Sequence, residues 1–195
     1  MDAESQGRRA RLARGLAKGA GTPEPGRERS ASGRPRGYFG VGVEGISKAM
    51  NLGAVMRTAH AFGASFVFTV GAHPRLKEAM KSDTTRTPDH VPYYAWNDIG
   101  TMALPEGCRL VGVELVESAE ELPRFAHPLG AAYVLGRERG SLSPEMVAAC
   151  DALVRIPTAF CVNVGVAAAL VMYDRMLALG RRAERLPPFS RALSE

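Results

Sequence analysis

The stretch IPTAFCVNVGVAAALVMYDR, residues 156–175, begins as the end of a strand and finishes as an apolar helix. Because proline cannot donate to a central sheet ladder, we expect the strand to end at Pro157. Asn163 has the chemistry of an N-cap for the helix that follows, which is predicted to run to about Gly180. Gly165 and the alanines after it give this helix a small-residue face, so another backbone segment is expected to lie close to it.

Outward from this stretch, apolar strand-like runs alternate with helical patterns from Tyr38 onward. This alternation is typical of repeated βα units, and strands that are apolar on both faces indicate helices on both sides. The sequence therefore predicts an α/β fold with a mostly parallel sheet covered by helices on both faces. The predicted strands are YFGVGVE, SFVFTV, VPYYAW, RLVGVEL, AAYVLG and ALVRIP, and helices are predicted to begin near Asn51, Leu76, Asp98, Pro144 and Asn163.

The excess positive charge lies at one end of the chain. Residues 1–37 hold nine Lys/Arg and four Asp/Glu, whereas residues 38–195 hold sixteen of each. The first segment is rich in Gly, Arg, Pro and Ser and has few large apolar side chains, so it cannot offset the entropy cost of ordering. We expect a disordered basic arm over 1–37 and one folded domain over 38–195. The arm either condenses onto nucleic-acid phosphates or is a solvated leader.

Cysteine and histidine usage argues against a metal site and against an exported protein. Cys108, Cys150 and Cys161 are odd in number and lack ligand spacing, and the four histidines are scattered. Reduced thiols fit a cytoplasmic location. The N-terminal segment lacks the apolar run of a signal peptide, and no apolar run reaches the length that spans a bilayer. We therefore expect neither a metal nor a membrane as a partner.

A G-x-G-x-x-G pattern at Gly40, Gly42 and Gly45 resembles the dinucleotide-binding fingerprint. In that fingerprint the glycines follow a strand and open a helix, and an acidic residue lies about 20 residues further on. Here the glycines belong to the strand itself, and no acidic residue occurs between Glu44 and Glu78. The sequence therefore argues against a nicotinamide cofactor.

The segment NLGAVMRTAHAFGAS contains Asn51 and Arg57 within one predicted helix. Asn51 is expected to be the N-cap of that helix. A spacing of six residues turns about 600° on a helix, so the two side chains do not share a face. They can meet one ligand only if one acts from the helix end and the other from its side, or if one belongs to another subunit.

The segment AAYVLGRERGSLSPEM ends a buried strand at Gly136 and continues into a charged turn that contains Glu138. Ser143, Pro144 and Glu145 fit the N-cap, the first residue and the first-turn acid of the next helix. Because ligands collect at the carboxyl ends of parallel strands, this loop is well placed for a pocket. Glu138 is either a functional carboxylate there or an exposed turn residue.

Together these segments resemble the SpoU/TrmH family of the SPOUT superfamily, which are S-adenosylmethionine-dependent RNA ribose 2′-O-methyltransferases. The family's first motif is similar to Asn51 and Arg57 on one helix. Its second motif is similar to Gly136 and Glu138 after an apolar strand. Its third motif, an Ile-Pro pair followed by an Asn that opens an apolar helix, is similar to the segment that contains Asn163.

The likeness covers roughly residues 38–180 and implies a SPOUT-type fold with a C-terminal trefoil knot over roughly 110–180. It also implies S-adenosylmethionine as the cofactor, RNA as the substrate and a homodimer in which Arg57 acts across the subunit interface. The catalytic residues implied by the resemblance are Arg57, Asn51, Glu138 and Asn163. The cofactor-binding main chain implied by position lies near Leu115, Gly136, Ile156 and Val162.

The family role implied for Arg57 is activation of the 2′-hydroxyl. A guanidinium stays protonated and only donates hydrogen bonds. We therefore expect Arg57 to orient the adjacent phosphate and lower the pKa of the hydroxyl, with a phosphate oxygen or water as proton acceptor. The alternative is that Arg57 is itself the base.

The chain departs from the family at Cys161, where relatives often have Ser, and its loop after the Ile-Pro pair is shorter. A thiol is a poor hydrogen-bond donor. The main alternative to an enzyme is therefore a catalytically silent RNA-binding SPOUT protein, and the second is another nucleotide-binding α/β module. Transfer RNA is favoured over ribosomal RNA, because many relatives acting on ribosomal RNA carry a folded N-terminal RNA-binding domain. The segment at residues 81–96 is either a substrate loop or a strand with core aromatics.

Overall fold

The structure is a computed structural model that describes residues 37–74, 76, 91–137 and 140–179. The basic arm falls outside the described residues except for Gly37, and the helix predicted near Leu76 falls outside them almost entirely. The strands are β1 Tyr38–Glu44, β2 Phe66–Val70, β3 Tyr93–Trp96, β4 Arg109–Val113, β5 Glu120–Glu121, β6 Gly130–Leu135 and β7 Ala152–Arg155. The α-helices are α1 Ala49–Phe62, α2 Pro144–Ala149 and α3 Val164–Leu179.

The strands form one parallel seven-stranded sheet in the order β3-β2-β1-β6-β4-β7-β5. One face packs against α1 and α3, and the other packs against α2 and the 3-10 turn at Ile99–Thr101. The predicted α/β fold with helices on both faces is confirmed. The two-residue strand β5 was not predicted, because Glu120 and Glu121 lack the apolar pattern of a strand. The trefoil knot stays a prediction.

The glycines of the G-x-G-x-x-G pattern have a packing role. Gly40 and Gly42 lie inside β1, as expected, and face two aromatic rings of β2. A Cβ at Gly40 would lie 2.2 Å from the ring of Phe66, and one at Gly42 would lie 2.4 Å from the ring of Phe68. These glycines therefore make room for the neighbouring strand's side chains.

The N-cap role predicted for Asn51 and the helix predicted near Asp98 are wrong. Helix α1 begins at Ala49 with Lys48 as its N-cap, so Asn51 lies in the first turn and is not the cap. The carbonyl of Lys48 accepts from the main-chain nitrogens of Asn51 and Leu52, which places the helix start earlier than the polar side chain indicated. The helix predicted near Asp98 is a single 3-10 turn, which a reciprocal hydrogen-bond pair between Asp98 and Thr101 closes.

Residues Tyr93–Trp96 form a strand, as the strand alternative predicted. Its aromatics are not core residues, because Tyr94 is 40% exposed and Tyr93 and Trp96 are only partly buried. The Trp96 ring packs on Phe68 with centroids 5.4 Å apart, and it stacks on Tyr94 at 5.9 Å. Residues 81–90 lie outside the described residues, so a substrate loop there stays a prediction.

The start of α3 follows the prediction. The side-chain oxygen of Asn163 accepts from the main-chain nitrogen of Gly165 at 2.8 Å, so Asn163 caps the helix. A Cβ at Gly165 would lie 3.2 Å from the Cβ of Ala54, which shows that the glycine lets α3 approach α1 closely.

A buried arginine near the end of α3 joins this helix to the amino-terminal edge of the sheet. Arg175 is 3% exposed and donates to the carbonyls of Pro128 and Leu129 and, at 3.1 Å, to the hydroxyl of Tyr133. Its guanidinium lies 5.1 Å from the ring centroid of Phe39. Both ends of α3 are therefore fixed by polar contacts.

Candidate functional site

A cavity of about 600 Å³ opens at the carboxyl ends of the parallel strands. Its walls come from the segments that follow β1, β4, β6 and β7. This is the edge of the sheet at which ligands of open α/β folds bind. The lining includes Lys48, Asn51, Glu114, Leu115, Gly136, Arg137, Gly140, Ser141, Ile156, Cys161, Val162 and Asn163.

The structure brings six of the eight predicted site residues to this cavity. They are Asn51, Leu115, Gly136, Ile156, Val162 and Asn163. Their roles toward a cofactor stay predictions. Glu138 lies outside the described residues, and Arg57 does not belong to the lining.

Two of the sequence motifs meet through a side-chain hydrogen bond. The nitrogen of the Asn163 side chain donates to the side-chain oxygen of Asn51 at 3.3 Å. The Asn163 oxygen is already engaged by the main-chain nitrogen of Gly165. This assignment of the amide follows from the hydrogen-bond network, because only the nitrogen end can donate to Asn51. The first and third motifs therefore form one connected wall of the cavity.

Two carboxylates that sequence reasoning missed hold the loop after β6. Glu114 accepts from the main-chain nitrogen of Leu115 at 3.0 Å and from that of Leu142 at 2.7 Å. Glu44 accepts from the main-chain nitrogen of Ser143 at 2.8 Å and from its hydroxyl at 2.6 Å. The signal available in the sequence was an acidic residue directly after each of two buried apolar runs.

The N-cap role predicted for Ser143 is confirmed. Its side-chain oxygen accepts from the main-chain nitrogen of Met146 at 3.1 Å, and Pro144 is the first residue of α2. The hydroxyl thus serves the helix and donates to Glu44 at the same time.

The three cysteines differ in their surroundings. Burial raises the pKa of Cys108 to about 11 and that of Cys150 to about 12, so both are protonated thiols at neutral pH. Cys161 is exposed and lines the cavity. Within the described part of the chain, no group of three His, Cys, Asp or Glu side chains could hold a metal ion. No helix of that part is both long and apolar enough to cross a membrane.

Arg57 lies on a different surface, beside an exposed apolar groove between α1 and α3. The groove is lined by Ala54 and Thr58 from α1 and by Val166, Leu170 and Tyr173 from α3. Tyr173 is 49% exposed and Val166 is 50% exposed. Because positions three residues apart are neighbours on a helix surface, Arg57 shares the face of Ala54. Asn51 lines the cavity and Arg57 does not, so the expected separation of the two residues is present.

The model of the SpoU rRNA Methylase family matches residues 39–173. No curated protein sequence matches the chain significantly. The chain is similar to the structure of an AdoMet-bound rRNA methyltransferase from Sinorhizobium meliloti, with a TM-score of 0.62 and 22% identity. That match covers 73% of this chain and 57% of the other, so this chain spans little more than half the length of that relative.

Two further structures are similar to the chain. One is the TrmH/SpoU tRNA modifying enzyme of A. aeolicus, with a TM-score of 0.58 and 17% identity, covering 90% of this chain and 82% of the other. The other is a structure that gives insights into the 2-OH methylation of C/U34 on tRNA. It has a TM-score of 0.59 and 21% identity, and the match covers 74% of this chain and 97% of the other. At these identities the likeness shows a shared fold.

Proposed function

Because the chain belongs to the SpoU rRNA methylase family, we propose that it is an enzyme that transfers a methyl group from S-adenosylmethionine to RNA. The observation that carries this proposal is the cavity at the carboxyl ends of the strands. All four predicted cofactor-binding residues and two predicted catalytic residues line it. In this proposal a bound ligand lies beside residues of all three sequence motifs, which are Asn51, Gly136 and Asn163.

The cavity fits S-adenosylmethionine in size and in chemistry. Its volume of about 600 Å³ lies in the range of small-molecule sites. Leu115, Ile156 and Val162 offer apolar walls for a purine ring. A Cβ at Gly136 would lie 3.1 Å from the main-chain nitrogen of Leu142, so the glycine lets the loop close beside the strand end. When bound, the cofactor supplies an electrophilic methyl group on a sulfonium.

We propose a ribose 2′-hydroxyl as the methyl acceptor. In-line displacement requires the acceptor oxygen to lie behind the methyl carbon, so positioning supplies much of the rate. The linked side chains of Asn51 and Asn163 stand at the cavity and hold the start of α3 in place. In this proposal they order the wall against which the ribose lies. Glu138 is proposed to order the loop after Gly136.

The proposed enzyme is a homodimer that uses the exposed face of α1 and α3. Exposed apolar patches of this kind mark interaction surfaces, and symmetric dimers are the commonest oligomers. Because Arg57 borders this face, a second copy placed there would bring Arg57 close to the partner's cavity. Tyr173→Glu tests the interface by light scattering, with Glu117→Ala as a control on a surface away from the groove. A monomeric wild-type protein would contradict the dimer.

In this assembly Arg57 binds the phosphate next to the acceptor ribose and lowers the pKa of the hydroxyl. A phosphate oxygen or water then takes the proton, because a guanidinium keeps its own. The pH–rate profile checks this assignment. An inflection that disappears in Arg57→Lys without loss of RNA affinity would identify Arg57 as the base instead.

Transfer RNA is the proposed substrate. This chain covers 97% and 82% of the two similar structures that concern tRNA, against 57% of the rRNA methyltransferase from Sinorhizobium meliloti. The three unpaired thiols support a cytoplasmic location, where glutathione keeps cysteines reduced.

Transfer of a labelled methyl group from S-adenosylmethionine tests the function directly. We expect label in tRNA, resistance of the modified linkage to alkali, and no label in DNA of the same sequence, because DNA lacks the acceptor. Arg57→Ala should remove transfer, whereas Arg109→Ala should not, since Arg109 is an exposed residue that pairs with Asp151. Cofactor binding without transfer to any RNA would favour the catalytically silent RNA-binding alternative.

A further inference from the structure

We propose that Glu44 and Glu114 are positioning residues that clamp Leu142 and Ser143, at the exit of the loop after β6, and thereby shape the cofactor cavity. This inference rests on the proposed function for its cofactor, although the clamp itself is a property of the free chain.

The register of the sheet places the two carboxylates symmetrically. Strand β6 lies between β1 and β4, and Leu135 pairs with Val43 on one side and with Val113 on the other. Glu44 is the last residue of β1, and Glu114 directly follows the last residue of β4. Since neighbouring side chains at one register level point the same way, both carboxylates lie on the same side of the sheet, flanking the end of β6.

The loop after β6 returns to this same point. A Cβ at Gly136 would lie 3.1 Å from the main-chain nitrogen of Leu142, so the entry and the exit of the loop are in contact. That nitrogen of Leu142 donates to Glu114, and the main-chain nitrogen of Ser143 donates to Glu44. The base of the loop is therefore held by carboxylates from both flanking strands.

All four carboxylate oxygens accept hydrogen bonds. Glu114 joins two segments, because one oxygen accepts from Leu115 after β4 and the other accepts from Leu142 after β6. Glu44 uses both oxygens on Ser143, the N-cap of α2. Hydrogen bonds to a charged acceptor are worth more than neutral ones, so each clamp stabilises one loop position substantially. The clamped loop contributes Gly136, Arg137, Gly140 and Ser141 to the lining.

The test measures loop opening and cofactor affinity separately. The loop contains two tryptic sites, after Arg137 and Arg139. We expect Glu114→Ala and Glu44→Ala to be cut there about tenfold faster than wild type without any cofactor, since each loses a charge-assisted anchor. Glu117→Ala is the matched control, because Glu117 is an exposed glutamate three residues after Glu114.

The same variants should raise the dissociation constant and the KM for S-adenosylmethionine about tenfold and leave kcat at saturating cofactor close to wild type. Glu114→Gln keeps one carbonyl acceptor and should recover part of the affinity, and it also replaces Glu114→Ala if that variant does not fold. Wild-type cleavage rates in both alanine variants would overturn the clamp, as would a fall in kcat with unchanged KM.

Failure of the proposed function gives a different result. A wild-type chain that binds no S-adenosylmethionine contradicts the methyltransferase assignment, yet the cleavage rates after Arg137 and Arg139 still decide whether the clamp exists. Weakened cofactor binding with unchanged cleavage rates would overturn the clamp, because Glu114 would then act on the cofactor directly.

Discussion

The side-chain nitrogen of Asn163 donates to the side-chain oxygen of Asn51 at 3.3 Å, although 112 positions of the chain separate them. The bond joins the start of α3 to the first turn of α1. It also explains why a polar amide opens an otherwise apolar helix, because one end of the amide caps the helix and the other end holds the neighbouring helix.

Substitutions at Asn163 separate these two roles. Asn163→Ala removes both, and we expect it to lower the free energy of unfolding by about 1 kcal/mol through loss of the cap. Asn163→Asp keeps the acceptor for Gly165 and removes the donor to Asn51, so its unfolding free energy should stay close to wild type. Urea denaturation measures the difference. Equal losses in the two variants would show that the cap contributes little.

Asn163→Ala and Asn163→Asp should both bind S-adenosylmethionine more weakly than wild type, because each loses the hydrogen bond that joins Asn163 to Asn51 in the cavity wall. Calorimetric titration checks this expectation. Full affinity in Asn163→Asp would mean that the bond to Asn51 is dispensable for the cavity.

The sequence pattern predicted the sheet well because buried parallel strands carry continuous apolar runs that few other structures share. Strand ends and helix caps have local signatures, which pointed to Gly136 and Asn163, whereas Leu115, Ile156 and Val162 were implied by the family resemblance. The clamp formed by Glu44 and Glu114 depends on the strand order β1-β6-β4. The order of strands in a sheet depends on contacts between distant parts of the chain, so the local sequence around one residue does not predict it.

Asn51 has the chemistry of an N-cap, yet the structure gives it another role. Its side-chain oxygen accepts from Asn163, and the helix begins at Ala49 with Lys48 as the N-cap. The burial of Arg175 was not predicted, since a cation at the end of an apolar helix usually reaches solvent. Here it finds main-chain carbonyls of Pro128 and Leu129 at the edge of the sheet.

Glycines in β1 should be intolerant of a methyl group. Gly42→Ala would place a Cβ 2.4 Å from the Phe68 ring, and we expect a loss of about 1–3 kcal/mol in unfolding free energy from overpacking. Gly53→Ala is the opposite case, because nothing lies within 4 Å of its added Cβ and the site is in a helix. That variant should gain up to about 1 kcal/mol. Thermal unfolding of the pair checks both signs.

Loss of the buried guanidinium of Arg175 should lower the free energy of unfolding far more than loss of an exposed guanidinium. Arg175→Met leaves the carbonyls of Pro128 and Leu129 without their donor, and we expect a loss of about 1–3 kcal/mol of unfolding free energy for each carbonyl. Arg109→Ala breaks an ion pair whose arginine side chain is 57% exposed, so its cost should stay below about 1 kcal/mol. Comparable losses in the two variants would contradict the structural role of Arg175.

The hydrogen bonds around His127 fix its protonation state. Arg175 can only donate, so the Tyr133 hydroxyl accepts from it and donates to Nδ1 of His127 at 2.6 Å. Nε2 therefore carries the ring proton and donates to Asp174 at 2.9 Å. This neutral tautomer satisfies every partner, whereas a second ring proton would leave the hydroxyl hydrogen of Tyr133 buried without an acceptor.

Acid should consequently destabilise the fold through His127. Burial lowers its pKa below the ordinary 6.5, and the nearby guanidinium of Arg175 adds to this, although Asp174 opposes the shift. Above pH 6.5 neither the folded nor the unfolded state binds the proton, so His127 contributes no pH dependence. Below pH 6.5 the unfolded state takes it up first, and the unfolding free energy falls by at most about 1.4 kcal/mol per pH unit until the lowered pKa is reached.

Urea unfolding of wild type and His127→Gln between pH 4 and 8 isolates this contribution, because the remaining histidines and carboxylates titrate in both proteins. Wild-type stability should fall more steeply than that of the variant once the pH drops below about 6.5, and the two slopes should agree above it. A wild-type slope that is equal to or shallower than the variant's below pH 6.5 would mean that Asp174 keeps the imidazole as basic in the folded chain as in the unfolded one.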